Sequence, residues 1–101
     1  MRIMYTPASI EDIESIANYI KDKLKNPTAA TTFKTRIVRA VSLLKDSPNM
    51  GVKLSEKTDA VKKDYRFIIV NNYLIFYRIE GDVIVIVRIL DGRTDYLRFL
   101  T

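Results

Sequence analysis

At 101 residues and 48% hydrophobic content, the chain has material for one modest core, read here as a single domain over 1–101. It contains no cysteine and no histidine, which excludes disulfides, thiol nucleophiles, thiolate metal sites and imidazole acid–base chemistry. The formal charge of +5 favours encounter with polyanions or an acidic partner, and says nothing of fold.

That charge is uneven: residues 1–20 carry −2, residues 21–63 carry +7, and residues 64–101 balance to zero with arginine as their only basic residue. Lysines in the middle give a diffuse field, whereas arginines on strands offer fixed forked donors for carboxylate or phosphate. No apolar run has the length of a membrane span, and "MRIMYTP" does not read as the apolar region of a signal peptide. A cytoplasmic location without membrane contact is expected.

"RIMY" (2–5) alternates weakly and predicts a short strand stopped by Pro7. A helix over 9–25 follows, with Ser9 as N-cap, Asp12 completing a weak capping box, and Ile10, Ile13, Ile16, Ala17, Ile20 and Leu24 as its apolar stripe. Acids in its first turns and lysines in its last suit the helix dipole. Asn26 and Pro27 are a favourable N-cap and first position for a second helix, which buries Ala30, Phe33, Ile37, Ala40, Val41 and Leu44 and ends at Ser47-Pro48. The short join predicts an antiparallel helix hairpin. Residues 49–62 read as polar, irregular and the most mobile segment.

Three strands complete the chain. "DYRFIIV" and "YLIFYRI" are joined by Asn71-Asn72, and "EGD" leads into "VIVIVRIL". The predicted class is α+β: an N-terminal strand, an α-helical hairpin, then a three-stranded antiparallel meander forming a small twisted sheet. No strand alternates cleanly, so both sheet faces need cover. The helix hairpin supplies one; the C-terminal tail, a second copy or a partner must supply the other.

Pairing Val70 with Tyr73 and Glu80 with Val83 sets Arg66 opposite Tyr77 and Tyr77 opposite Ile86, with Arg88 diagonal to it. Arg66, Tyr77 and Arg88 then cluster on one face, Arg93 follows, and Arg78 goes to the other face near Tyr65. Such a cluster could grip phosphodiester oxygens, with tyrosine stacking a base or moving a proton. Alternatively each arginine lies over apolar surface and pairs with Asp64, Asp91 or Asp95. The acids are too scattered for a metal site, and Gly51, Gly81 and Gly92 make no phosphate loop, so no cofactor or metal is expected.

"YTPASIEDIESIANYI", "NPTAATTFKTRIVRAVSLLKDSPNMG" and "YRFIIVNNYLIFYRIEGDVIVIVRILDGRTDY" together resemble the RelE/ParE superfamily of bacterial type II toxins, nearly end to end. The resemblance implies a growth-inhibiting toxin neutralised by an antitoxin encoded beside it, with a homodimer where the antitoxin is absent. One branch of that superfamily cleaves mRNA on the ribosome; the other poisons DNA gyrase and has no established hydrolytic site. For a nuclease, the resemblance points to Arg66, Tyr77, Arg88, Arg93 and Tyr96 as catalytic. Arg36, Arg39, Lys62, Lys63 and Arg98 are the candidate contacts to nucleic acid or a partner.

The sequence departs from the nuclease pattern. Leu74 stands where arginine is common, and Asp91-Gly92-Arg93-Thr94-Asp95 lacks the histidine and second arginine of many relatives. The long helix hairpin is more like the gyrase-directed branch. A non-toxic partner-binding module of the same fold is a further reading.

Overall fold

Thr6-Pro7 begins the first helix. In the computed structural model, which describes residues 1–58 and 64–100, strand β1 (Arg2–Tyr5) runs straight into α1 (Pro7–Asp22). Pro7 occupies a first-turn position whose N–H would have no partner in any case, so the residue expected only to stop the strand also starts the helix. Thr6 replaces Ser9 as N-cap: its Oγ1 accepts from the Ser9 N–H at 3.1 Å, and the buried Ser9 hydroxyl donates to the Thr6 carbonyl at 2.8 Å. With the start displaced, no acid lies in the first turn, so the expected dipole pairing there is not made. Ile10 is exposed and Leu24 lies beyond the helix end, leaving Ala17 and Ile20, flanked by Ile13 and Ile16, as the buried stripe.

The turn into α2 (Pro27–Leu43) uses Lys25 at φ +55° and a 3.2 Å hydrogen bond from the Asn26 N–H to the Ile20 carbonyl. Asn26 then caps α2 through its side chain, 3.0 Å from the Ala29 N–H, as the sequence predicts. Ala30, Phe33, Ile37, Val41 and Leu44 are buried, and a Lys34–Glu14 pair at 3.1 Å links the two helices.

The sheet has the order β1-β5-β4-β3-β2, with β1 parallel to β5 and the other neighbours antiparallel. Its strands after the hairpin are β2 (Val52–Lys53), β3 (Arg66–Val70), β4 (Tyr73–Glu80) and β5 (Val83–Asp91). Asn71 at φ +54° and Gly81 at φ +60° make the two tight turns. Part of the segment expected to be irregular is therefore ordered: β2 adds to the edge, and a 3-10 turn (Leu54–Glu56) buries Leu54 completely.

Two cores result. One lies between the hairpin and the first sheet face, around Ile37, Leu44, Ile75, Tyr77, Ile84 and Ile86. The other, on the second face, joins Leu54, Tyr65, Phe76, Leu90 and Leu100. The chain's own tail thus covers much of that face, through α3 (Leu97–Leu100) and Tyr96.

The helix layer is fastened to the sheet where β1 ends. Val87 is the extra residue of a bulge in β5, since Tyr77 pairs with Ile86 but Phe76 pairs with Arg88. Past Tyr5, side chains take over from the missing strand. Thr6 Oγ1 donates to the Val87 carbonyl at 2.8 Å, and the Asp12 carboxylate accepts from the Ile89 N–H at 2.9 Å. The same carboxylate receives Arg88 Nε and Nη2, each at 2.7 Å. Removing one member of such a largely enclosed pair costs about 2–4 kcal/mol. Asp12→Ala is therefore expected to lower unfolding stability by about that much in urea titration, and Arg88→Ala should add little on top of it, because both remove the same interaction.

Candidate functional site

The register brings Arg66 opposite Tyr77, as predicted, and commits both to the loop before β2. Tyr77 is fully buried; its hydroxyl donates to the Pro48 carbonyl at 2.7 Å and accepts from the Gly51 N–H at 2.9 Å. Burial pushes its phenol above the ordinary value, against smaller opposing effects of the Gly51 hydrogen bond and Arg66. Arg66 Nη1 donates to the carbonyls of Gly51 at 2.8 Å and Asn49 at 3.2 Å. Gly51 allows this close approach, because a Cβ there would lie 2.5 Å from the Tyr77 hydroxyl oxygen and 2.7 Å from Cε1.

Arg88 does not join them. The bulge sets it opposite Phe76 and aims its fork at Asp12, whose hydrogen bonds raise its pKa further above the ordinary value. Its guanidinium carbon also lies 4.8 Å from the Phe99 ring centroid, and that of Arg98 lies 5.5 Å from the same ring. The expected Arg66–Tyr77–Arg88 cluster is therefore a pair plus a separate ion pair. Arg78 pairs with Glu80.

Arg93 lies at the opposite end of β5 from Arg2. Its side chain is 89% exposed, yet Nε and Nη2 both reach Asp91, at 3.2 and 3.1 Å. The Arg93 main-chain N–H donates to the same carboxylate at 2.9 Å. These bonds hold the Asp91 carboxyl below its ordinary range. Tyr96 does not meet Arg93 in a cleft; its ring stacks at a tilt on Phe76, 5.2 Å between centroids. On α2, Arg36 and Arg39 are exposed; Arg36 Nη1 donates to the Asn71 side chain at 3.2 Å. Lys62 and Lys63 lie outside the described residues.

Three open grooves meet near the Asn71-Asn72 turn. One of about 380 Å³ includes Phe33, Arg36, Asn71 and Tyr73. A second of about 480 Å³ runs between α1 and the sheet end, past Tyr19, Leu24, Tyr73 and Arg93. A third of about 510 Å³ lies by Ile69, Leu74, Asn71 and Arg93. Tyr73 stands edge-on to Phe33 at 5.0 Å between ring centroids; burial, then Asp91, raises its phenol pKa, and Arg93 opposes that rise. Tyr19 and Tyr73 were not singled out by sequence, since one reads as a helix-surface residue and the other as a strand residue. Asp12 was read only as a capping residue; its phase on the flank of the apolar stripe is the signal that places it toward β5.

Chemically, the arrangement offers rigid cation- and aromatic-rimmed surfaces. Among the described residues, no group of three or more acids could hold a metal ion, and no helix is long and apolar enough to cross a membrane.

Tyr77→Phe leaves the Gly51 N–H and Pro48 carbonyl without their buried partner and is expected to cost about 1–3 kcal/mol in thermal or urea unfolding. Gly51→Ala should cost a similar ~1–3 kcal/mol through overpacking. For Asp91 the sign is fixed by its depressed pKa: its contribution to stability is present above the ordinary carboxylate value and is lost as pH falls through the folded value. Carboxyl NMR titration should place its midpoint below the ordinary value, and Arg93→Ala should move it back up.

The family model described as the ParE toxin of the type II toxin-antitoxin system, parDE, matches residues 3–96. Among solved structures, the chain is similar to one described as the chromosomal ParDE TA system from P. aeruginosa, with TM-score 0.73 and 22% sequence identity. That match covers 90% of this chain and 95% of the other, and at this identity it speaks for the fold alone. No curated relative matches. The family match extends over nearly the whole domain just described, from β1 to Tyr96, and on that ground the chain belongs to the ParE toxins of type II toxin–antitoxin systems.

Proposed function

We propose that this toxin acts by binding DNA gyrase rather than by cutting mRNA on the ribosome. The observation that carries this reading is the commitment of Tyr77 and Arg88 to the fold. A general base must hold a free lone pair near neutral pH. The Tyr77 phenol is buried, bonded on both sides and harder to ionise than an ordinary tyrosine. Transition-state stabilisation of a phosphodiester needs donors aimed at substrate oxygens; two of the Arg88 donors are aimed at Asp12 instead. Arg66, Arg93 and Tyr96 then stand apart, without a shared cleft.

The outer face of α2 suits macromolecular docking better. Arg36, Arg39 and Leu43 are exposed and recur at helical spacing, three and four residues apart, so they form one stripe. An exposed leucine beside two guanidiniums is the composition of an interface anchor with a charged rim.

Purified toxin is expected to inhibit gyrase supercoiling while transcripts stay intact in a translating extract. The double substitution Arg36→Glu with Arg39→Glu should weaken that inhibition by about 10–100-fold, with the far-ultraviolet circular dichroism unchanged. Normal supercoiling at excess toxin, or ribosome-dependent transcript cleavage, would overturn the reading.

A further inference from the structure

The second and third grooves are neighbours with a common wall. Asn72, Asp91 and Arg93 line both. On one side of that wall Tyr19 and Leu24 are each 57% exposed; on the other Ile69 is 65% exposed. Ile69 has a structural reason to be bare. It pairs across the sheet with Leu74, which pairs with Leu90, and exposure falls along that row from Ile69 to the buried Leu90. The tail covers the β5 end of the row and leaves the β3 end open. Two apolar hollows therefore flank one cation.

That cation is held in place before anything binds. Asp91 fixes Nε and Nη2 of Arg93, while Nη1 makes no hydrogen bond among the described residues. The Gly92 N–H donates to the Asn72 carbonyl at 2.8 Å, tying the Arg93 loop to the β3–β4 turn. A preordered donor loses little entropy when a ligand arrives.

We propose that the two grooves form one continuous seat for an extended acidic segment of the antitoxin. Apolar side chains of that segment fill the Tyr19–Leu24 and Ile69–Leu74 hollows, and a carboxylate between them takes the free edge of Arg93. The proposal rests on the toxin assignment, which supplies an antitoxin, and not on the identity of the target. Charge selects the occupant: the chain carries +5, so a second copy is repelled and an acidic peptide is attracted. Nucleic acid fits poorly, because a phosphate track needs several cations and this seat presents one, with the Asp91 carboxylate beside it.

The test is calorimetric titration of the full-length toxin with the antitoxin encoded beside it. Arg93→Glu and Ile69→Asp are each expected to raise Kd about 10–100-fold, whereas Arg2→Glu, the same charge change at the far end of the sheet, should not. Ile69→Asp should still arrest growth but escape neutralisation when toxin and antitoxin are co-expressed. An antitoxin variant with its central acid changed to arginine should recover binding to Arg93→Glu. Unchanged Kd for both seat variants overturns the proposal. So does loss of target inhibition by Ile69→Asp with antitoxin binding intact, since the seat would then belong to the target. If wild-type toxin leaves gyrase unaffected while the seat variants lose the antitoxin, the gyrase reading fails and the seat stands.

Discussion

The Asp12 carboxylate is the fastening on which the rest of this molecule is hung. It accepts the Arg88 fork and the Ile89 N–H at the point where β1 has ended and β5 has lost its strand partner. A strand edge inside a folded domain cannot leave its polar groups unpaired without a cost of about 1–3 kcal/mol each. Thr6 and Asp12 remove that cost together, one for the Val87 carbonyl and one for the Ile89 N–H. In doing so they hold α1 to β5 and stabilise the bulge, and the bulge decides which face each residue beyond Val87 meets. Ile89 reaches the helix-side core and Leu90 the opposite one for this reason.

The arginines of the final third divide by what the fold asks of them. Arg66 grips two carbonyls of the loop before β2, and Arg88 completes the fastening. Both use the planar fork to order backbone or carboxylate, work an ammonium would do less well. Arg93 is different: it is ordered by a neighbour and still faces solvent, so its geometry is set without its charge being enclosed. On α2, Arg36 and Arg39 lie on the outer face of a helix whose inner face is fully used in the core. The ParE family match and the presented cations agree in pointing to binding as this toxin's mode of action.

The second sheet face is closed unevenly, and that unevenness is informative. Leu54 and Leu100 pack over Phe76 and Leu90 from two distant parts of the chain. Neither reaches Ile69. A hydrophobic side chain left so open gives up roughly 1.5–3 kcal/mol of burial, and its place beside a guanidinium gives that exposure a use in recognition.

The sequence alone determined what depends on neighbours along the chain. Asn26-Pro27 starts α2 because its signal is contained in two residues, and Asn71-Asn72 and Gly81 set hairpins because positive φ is a local demand. Strand pairing from Val70–Tyr73 and Glu80–Val83 followed from those turns and held as far as Tyr77. Thr6-Pro7 carried the same signal as Asn26-Pro27 and was read as a strand stop, since nothing local says that a strand passes directly into a helix. Tertiary structure alone decided the bulge at Val87, because its stray polar groups are satisfied by Thr6 and Asp12 some 80 residues away. It likewise decided that Tyr77 is a buried strut rather than an acid–base group, and that the tail seals most of the second face. Those outcomes depend on which distant atoms come within hydrogen-bonding or van der Waals range, and no spacing along the chain encodes that distance.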